Sequence, residues 1–305
     1  MTLLHDLKKG KRGVIAKAIS IIENDKKEAS RLIKKIFSDS GNSIIIGITG
    51  PAGSGKSSLI NKTILELKKL EVEPAVLAID PTSHVSGGAI LGDRVRMTEL
   101  TDSGTFIRSM ASRGSTGAIS RSIRNGIRVL EYAGFDPIII ESVGAGQTEI
   151  EISNISDITV VVFNPNTGDS IQTIKAGLSE IGDIYLVNKS DLDGASQLFD
   201  AVQDYIASAS SDKITVLKTS TKTNEGISRF AKKLTQLIKE KKKTKKEREK
   251  LRLESELKDI ILNNVKEKID FMSDNKTYAT YLKLVQSKKM NPLDAAEKIS
   301  KSILK

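Results

Sequence analysis

The sequence predicts an α/β fold in which a mostly parallel, doubly wound sheet is flanked by helical segments at both ends of the chain. Short, continuous, largely β-branched apolar runs are typical of strands buried on both faces of a parallel sheet. Such runs lie at 44–46, 76–79, 138–140, 160–163 and 184–187, and a further strand is predicted at 214–217. Helical patterns lie at 57–70, 117–133, 170–181 and 195–208. This alternation of strands and helices favours a parallel sheet with helices on both faces.

At both ends of the chain, the spacing of apolar residues is typical of helices. The sequence predicts one or two helices at 1–38 and helices throughout 227–305. In the second segment, apolar side chains recur every four residues as one stripe on a long helix; they are Leu253, Leu257, Ile261, Val265 and Ile269. Asn291 and Pro292 predict the start of a last helix, as N-cap and first helical residue. We therefore expect a helical segment at 1–42, an α/β domain at 43–226 and a helical extension at 227–305.

Composition excludes several classes of site. The 305 residues contain no cysteine, which excludes disulfides, thiolate zinc sites, iron–sulfur clusters and cysteine nucleophiles. With His5 and His84 as the two histidines, a histidine-rich metal site is excluded as well. No stretch approaches the roughly 18 consecutive apolar residues of a membrane span, and residues 1–17 lack the apolar run of a secretion signal. We expect a soluble, cytoplasmic protein.

The net charge of +10 (48 Lys and Arg minus 38 Asp and Glu) raises the question of a nucleic-acid partner. The distribution argues against one. Residues 1–42 carry 10 basic and 5 acidic side chains (+5), 43–231 carry 17 and 22 (−5), and 232–305 carry 21 and 11 (+10). The excess lies in the helical ends, where a lysine-rich stretch such as 239–250 is typical of a solvated helix face.

Residues 50–57 read G-P-A-G-S-G-K-S, a complete phosphate-binding loop between a predicted strand and a predicted helix. Its glycines let backbone N–H groups turn towards phosphate oxygens, and the helix directs its positive end towards them. We expect Lys56 to reach the β- and γ-phosphates and the Ser57 hydroxyl to ligate Mg²⁺. The predicted phosphate-binding residues are Gly50, Gly53, Ser54, Gly55, Lys56, Ser57 and Ser58. The motif predicts a P-loop NTPase without distinguishing ATP from GTP.

Residues 188–191 read N-K-S-D and directly follow the predicted strand 184–187. Open α/β sheets bind ligands at the carboxyl ends of their strands, and the motif begins 132 residues (188 minus 56) after Lys56. The Asp191 carboxylate can accept hydrogen bonds from guanine N1–H and the 2-amino group, a pair of donors that adenine lacks. We therefore predict GTP and GDP as ligands, with Asn188 and Lys189 supporting the loop and the base.

Carboxylates near the ends of strands supply candidate metal ligands. Asp80 and Glu141 each end a predicted strand, and Asp93 follows a stretch rich in Ser, Thr and Gly. Because carboxylates suit Mg²⁺, the predicted metal set is Ser57, Asp80, Asp93 and Glu141, and the predicted catalytic set is Lys56, Glu141, Asp80 and Asp93. A surface ion pair is the alternative for Asp93. Gly144 can bring its N–H close to a γ-phosphate, and Gln147 can orient a water or serve as a switch residue.

Two longer segments are more specific than the phosphate-binding loop, G-G-A-I-L-G-D-R-V-R-M at 87–97 and E-S-V-G-A-G-Q-T-E at 141–149. A shorter segment, A-I-D-P-T-S, lies at 78–83. Together with the phosphate-binding loop and N-K-S-D, they resemble the methylmalonyl-CoA mutase-associated G proteins, the MeaB/MMAA/ArgK family. The resemblance covers about residues 10 to 300.

The resemblance implies a Mg²⁺-dependent GTPase of the SIMIBI class, which also holds the signal-recognition and nickel-insertion GTPases. It implies a chaperone of an adenosylcobalamin-dependent mutase, which gates cofactor delivery from an adenosyltransferase and protects the mutase from inactivation. It also implies homodimers paired largely through the extension at 227–305.

Two further groups of residues follow from the resemblance alone. By position, Asp169, Gln172 and Lys175 belong to a switch that would couple the nucleotide state to the mutase, and Ser220 and Thr221 would contact guanine. The chain departs from the family pattern in both places. Residues 164–169 read N-P-N-T-G-D, and residues 219–221 read T-S-T where the family commonly has Ser-Ala.

The sequence leaves open the source of a catalytic arginine and two alternative functions. Arg94, Arg96 and Arg108 are candidates for an arginine that stabilises the transition state, and a partner is another source. A GTPase acting on ribosome or nucleic acid is the alternative that the basic ends favour, although 12 aromatic residues (7 Phe and 5 Tyr) are few for base stacking. A metal-insertion GTPase is disfavoured, because soft metals select thiolate and imidazole ligands.

Overall fold

A computed structural model describes residues 3–80, 104–111, 116–142, 148–166, 181–209, 214–273 and 276–303 of the chain. The strands in these residues are β1 (Ile45–Thr49), β2 (Ala75–Asp80), β3 (Phe106–Ala111), β4 (Ile138–Glu141), β5 (Ile158–Phe163), β6 (Ile184–Val187) and β7 (Thr215–Lys218). The helices are α1 (Leu3–Lys8), α2 (Arg12–Asn24), α3 (Lys26–Ile36), α4 (Lys56–Lys69), α5 (Thr116–Tyr132), α6 (Thr148–Ile155), α7 (Ala195–Ala209), α8 (Ile227–Lys243), α9 (Lys245–Ser273), α10 (Lys276–Gln286) and α11 (Pro292–Ile303). The predicted helix at 170–181 lies outside the described residues, except for its last residue.

The strands form one parallel sheet in the order β3-β2-β4-β1-β5-β6-β7. β1 lies at the centre, paired with β4 on one side and with β5 on the other, and the strand order reverses there. Open α/β sheets bind ligands at such a reversal, beyond the carboxyl ends of the strands. The phosphate-binding loop directly follows β1 and therefore stands at this point. The predicted α/β class and parallel sheet are confirmed.

Helices cover both faces of the sheet. One apolar core joins α1, α2, α3, α5 and α6 to one face, and a second joins α4 and α8 to the opposite face. The helices predicted in residues 1–42 therefore pack directly on the sheet, with Leu7, Ile15, Ile19 and Ile36 wholly buried. Because both faces are covered, every residue of β1, β4 and β5 is buried, which explains their continuous apolar runs.

β3 is a strand that the apolar runs do not predict. Its sequence F-I-R-S-M-A contains two polar residues, and it lies at the edge of the sheet, paired with β2 alone. The Glu23 carboxylate of α2 accepts a hydrogen bond from the backbone N–H of Ala111 at 3.0 Å, which satisfies a donor at the end of this edge strand. The described sheet thus has seven strands, one more than the sequence predicts.

Acidic residues at the amino-terminal edge of the sheet bind basic residues in the last turns of α8 and the first turn of α9. Asp157 accepts a hydrogen bond from the first N–H of β1 at 2.8 Å and pairs with Arg248 at 2.8 Å. Asp183 likewise accepts from a backbone N–H of β5 at 2.8 Å and pairs with Lys241 at 2.7 Å. Lys241 and Arg248 therefore depart from the solvated helix face predicted at 239–250, because carboxylates partly cover them.

Residues Met1–Glu249 and Lys250–Lys305 form two compact units. The first holds the sheet and α8, which begins at residue 227 and packs on α4. The second holds most of α9 together with α10 and α11. In this unit Asn291 Oδ1 accepts a hydrogen bond from the backbone N–H of Asp294 at 2.9 Å, which confirms Asn291 as the N-cap of a helix that begins at Pro292. None of the described helices combines the length and apolar character needed to cross a membrane.

Candidate active site

The phosphate-binding loop connects β1 to α4 at the carboxyl edge of the sheet. Gly50, Gly53 and Gly55 have φ angles of 139°, 75° and 88°, in the left-handed region that residues with a Cβ disfavour. A Cβ on Gly55 would also lie 2.5 Å from Asn188 Nδ2. Glycine at position 55 is therefore required both by the turn and by the close approach of a second loop.

Lys56 is the first residue of α4 and is 6% exposed. Its ammonium donates hydrogen bonds to the loop's own carbonyl oxygens, those of Gly50 at 2.8 Å and Pro51 at 3.1 Å. The charge is thus held against the loop whose backbone N–H groups form the phosphate cradle. An ammonium that already lies here can exchange a carbonyl for a phosphate oxygen with a small movement of a flexible side chain.

Ser57 and Glu141 come together because β1 and β4 are neighbours. The Ser57 hydroxyl donates a hydrogen bond to Glu141 Oε1 at 2.6 Å, and Glu141 is 6% exposed. A hydroxyl and a carboxylate at this separation are hard oxygen donors of the kind that bind Mg²⁺, so the residues present fit this ion. Ser58, in the same first turn of α4, is exposed.

The N-K-S-D loop after β6 is attached to the phosphate-binding loop. The Asn188 side chain is wholly buried and donates to the Ser54 carbonyl at 2.9 Å, and the Lys189 ammonium donates to the Gly53 carbonyl at 2.9 Å. Lys189 itself has a φ of 57°. These two bonds join the predicted base-binding and phosphate-binding loops into one site.

Asp191 receives a hydrogen bond from the Ser220 hydroxyl at 2.6 Å, across the loops that follow β6 and β7. This bond lowers the pKa of Asp191 below the ordinary range; partial desolvation opposes it, while the positive charges of Lys222 and Lys189 act in the same direction as Ser220. The carboxyl group is therefore ionised at neutral pH and acts as an acceptor. The neighbouring Thr221 is half-buried.

Thr219 is a supporting residue that sequence reasoning missed. Its hydroxyl donates to Asn188 Oδ1 at 3.2 Å, and both residues are wholly buried. The signal available in the sequence was the position of Thr219 directly after a predicted strand. Ser54 is also wholly buried, and its hydroxyl oxygen has no hydrogen-bond partner among the described residues.

Several predicted site residues lie beyond the described part of the chain. They are Asp93, Gly144, Asp169, Gln172 and Lys175, together with His84, Arg94, Arg96 and Gln147. Asp80 ends β2, which places its backbone at the same edge of the sheet as the loops above. Arg108 contacts α2: its guanidinium donates to Ser20 Oγ at 3.0 Å and lies 3.5 Å from a Glu23 oxygen. These contacts argue for a structural role of Arg108 rather than a transition-state role.

Comparison with known proteins places this site in a family. Residues 15–274 match the family model described as "Methylmalonyl Co-A mutase-associated GTPase MeaB". The chain belongs to the methylmalonyl-CoA mutase-associated GTPase family. It is therefore a P-loop GTPase, an enzyme that hydrolyses GTP.

Individual relatives agree with this membership. A protein of Pyrococcus abyssi that bears the name of a GTPase is 39% identical over 316 residues, covering 99% of this chain and 96% of its own. The GTPase ArgK of Escherichia coli K12 is 35% identical over 195 residues, covering 62% of this chain and 59% of its own. A solved structure titled "LAO/AO transport system kinase" superimposes with a TM-score of 0.74 at 22% identity, over 99% of this chain and 97% of its own. At that identity the superposition shows a shared fold.

Proposed function

We propose that this GTPase chaperones an adenosylcobalamin-dependent acyl-CoA mutase such as methylmalonyl-CoA mutase. In a Mg²⁺-dependent cycle of GTP binding and hydrolysis, it would gate the loading of adenosylcobalamin and protect or reactivate the mutase. The observation that carries the proposal is the bond from Asn188 to Ser54, which attaches the N-K-S-D loop to the phosphate-binding loop. It supports a guanine nucleotide site, in a family described by its association with this mutase.

On the phosphate side, Lys56 would exchange the carbonyls of Gly50 and Pro51 for β- and γ-phosphate oxygens. Its charge and the N–H groups of the loop would then stabilise the negative charge that builds on these oxygens during hydrolysis. Gly144 would add an N–H at the γ-phosphate, and Ser58 would complete the first helical turn. These residues do not take part in covalent chemistry, so catalysis rests on position and charge.

Ser57 and Glu141 would hold Mg²⁺, with Asp80 and Asp93 as further ligands. When bound, the ion neutralises charge on the phosphate oxygens as a Lewis acid. Glu141, Asp80 and Asp93 are also the candidates to position the attacking water. The short bond between Ser57 and Glu141 supports this assignment, since both oxygens already meet at one point beside the phosphate-binding loop.

On the base side, Asp191 would accept hydrogen bonds from guanine, and the Ser220 hydroxyl would hold the carboxylate in place. Asn188 and Lys189 would fix the loop against the phosphates, and Thr221 would contact the base. The burial of Asn188 and Ser220 supports a preformed site, since the side chains that orient the acceptor have little freedom to move.

For the partner, we propose that Asp169, Gln172 and Lys175 transmit the nucleotide state to the mutase, and that an adenosyltransferase delivers the cofactor to the same complex in the cytoplasm. The support is the family description, which names the mutase association. A switch of this kind requires that the mutase bind the GTP and GDP states with different affinities.

The decisive experiment is co-purification with candidate adenosylcobalamin-dependent mutases acting on methylmalonyl-, isobutyryl- and ethylmalonyl-CoA. We expect one mutase to bind with an affinity that differs about tenfold or more, equivalent to about 1.4 kcal/mol, between GDP and a non-hydrolysable GTP analogue. Asp191→Asn, which should bind guanine nucleotides about 100-fold more weakly, serves as the control for the nucleotide effect. Binding of no mutase in either nucleotide state would contradict the proposal.

The apolar stripe on α9 supports a homodimer as part of this proposal. Leu257 and Ile261 are 59% and 53% exposed, and water-exposed rows of this kind are typical of protein–protein surfaces. The paired change Leu257→Glu and Ile261→Glu should therefore halve the mass measured by light scattering during size-exclusion chromatography. The matched control is Lys258→Glu, an exposed residue of the same helix outside the stripe. A wild-type protein that elutes with the mass of one chain would refute the dimer.

A further inference from the structure

Two buried hydroxyl groups lie beside the phosphate-binding loop. Ser142 Oγ donates a hydrogen bond to Thr49 Oγ1 at 3.1 Å, and the residues are 3% and 0% exposed. Thr49 is the last residue of β1, and Ser142 directly follows β4. We call these two side chains the hydroxyl pair. It links β1 and β4 at the point where both strands enter the site.

Each member of the hydroxyl pair is one residue away from a group of the proposed site. Thr49 precedes Gly50, whose carbonyl accepts a hydrogen bond from Lys56 at 2.8 Å. Ser142 follows Glu141, whose carboxylate accepts from Ser57 at 2.6 Å. A β-branched threonine is stiff at χ1, so its oxygen is an acceptor with a fixed position.

The backbone alone does not fix the Glu141 side chain. The N–H of Ser142 donates to the Ile48 carbonyl at 3.0 Å, so the backbone bonds between β1 and β4 extend as far as Ser142. They set the register of the strands, and the pairing of Ala78 with Glu141 holds the other side of β4. The bond between the side chains of Ser142 and Thr49 adds a restraint directly after Glu141, where that pairing ends, and a displacement of about 1 Å in a supporting group is enough to impair a catalytic site.

We propose that the hydroxyl pair positions Glu141 for Mg²⁺, so that the Glu141 carboxylate and the Ser57 hydroxyl present their oxygens to the ion together. Thr49 and Ser142 act through Glu141 and are positioning residues. The inference rests on the proposed Mg²⁺-dependent function. Groups that orient metal ligands typically change metal affinity about 10- to 100-fold when they are removed.

The test measures binding without turnover. Ser142→Ala should raise the Mg²⁺ concentration required for half-maximal tightening of a fluorescent GDP analogue about tenfold. Ser142→Thr keeps the hydroxyl and should restore the wild-type Mg²⁺ requirement. If Ser142→Ala does not fold, Thr49→Val removes the acceptor instead and should give the same shift.

A double variant separates positioning from packing. A single substitution leaves one buried hydroxyl without its partner and should lower the urea midpoint of unfolding. The double variant Thr49→Val, Ser142→Ala removes both hydroxyl groups, so its midpoint should return most of the way to the wild-type value. We expect the double variant to retain the tenfold higher Mg²⁺ requirement. The inference would be overturned if the Mg²⁺ requirement of the double variant returned to the wild-type value together with its stability. It would also be overturned if none of the variants changed the Mg²⁺ requirement.

Failure of the underlying function would look different. In that case the wild-type protein itself would bind the GDP analogue with the same affinity at every Mg²⁺ concentration, and Glu141→Gln would have no effect. A wild type that requires Mg²⁺, together with a Ser142→Ala variant that matches it, refutes the positioning role alone.

Discussion

Replacing Lys56 with alanine should lower kcat for GTP hydrolysis about 100- to 1000-fold, the loss that is typical when a charge or donor that stabilises a transition state is removed. Lys56 is 6% exposed, and its ammonium is held against the loop by two carbonyl oxygens. From this position it would meet the oxygens on which negative charge accumulates as the bond between the β- and γ-phosphates breaks. Single-turnover hydrolysis of GTP at saturating nucleotide measures the effect on the chemical step.

Lys69→Ala is the matched control, because it removes the same side chain from the last residue of the same helix. Lys69 is exposed and pairs with Glu66 at 2.5 Å, far along α4 from the phosphate-binding loop. Surface pairs of this kind contribute about 0–1 kcal/mol to stability, so the rate should stay at the wild-type value. Equal hydrolysis by wild type and Lys56→Ala would show that this loop is not the catalytic site.

The centre of the sheet could be predicted from sequence because burial on two faces forces every position to be apolar. β1, β4 and β5 satisfy this condition along their whole length. The edge strand β3 does not, since Arg108 within it contacts polar groups of α2. Local composition therefore reveals strands that are buried on both faces. It misses an edge strand such as β3, in which polar residues contact side chains of a neighbouring helix.

The parts of the candidate site could be predicted from sequence, but their connections could not. The phosphate-binding loop and the N-K-S-D loop are each continuous motifs, whereas the bond from Asn188 to Ser54 joins residues 134 positions apart. It depends on β6 lying two strands from β1, with β5 between them. Strand order is a property of the whole fold and has no local pattern.

Buried hydroxyl groups were missed for a related reason. Thr219 and Ser142 have the same composition signals as any polar residue at the end of a strand, where serine and threonine are also common in turns. Their pairing with Asn188 and Thr49 becomes evident only once the order of the strands in the sheet is known. Residues that support a site through a neighbour are thus less predictable than residues that form a motif.

Asp191→Asn should weaken the binding of GDP about 100-fold or more and should shift the preference of the site towards xanthosine diphosphate. A site built to pair with a base discriminates strongly once one partner is left unmatched. The Asp191 carboxylate would accept from both N1–H and the 2-amino group of guanine, whereas xanthine has a carbonyl oxygen in place of that amino group. The amide of asparagine can donate to this oxygen. Competition between the two nucleotides for a fluorescent GDP analogue measures the shift.

The hydrogen bond from Ser220 explains why Asp191→Asn should change base preference without lowering the stability of the fold. Ser220 donates to Asp191 at 2.6 Å, and an asparagine oxygen can accept the same hydrogen bond. The unfolding midpoint of Asp191→Asn should therefore stay close to that of the wild type. Asp193→Asn, an exposed residue of the same loop, is the matched control and should keep the preference for guanine. An Asp191→Asn variant that still favours GDP would mean that another group reads the base.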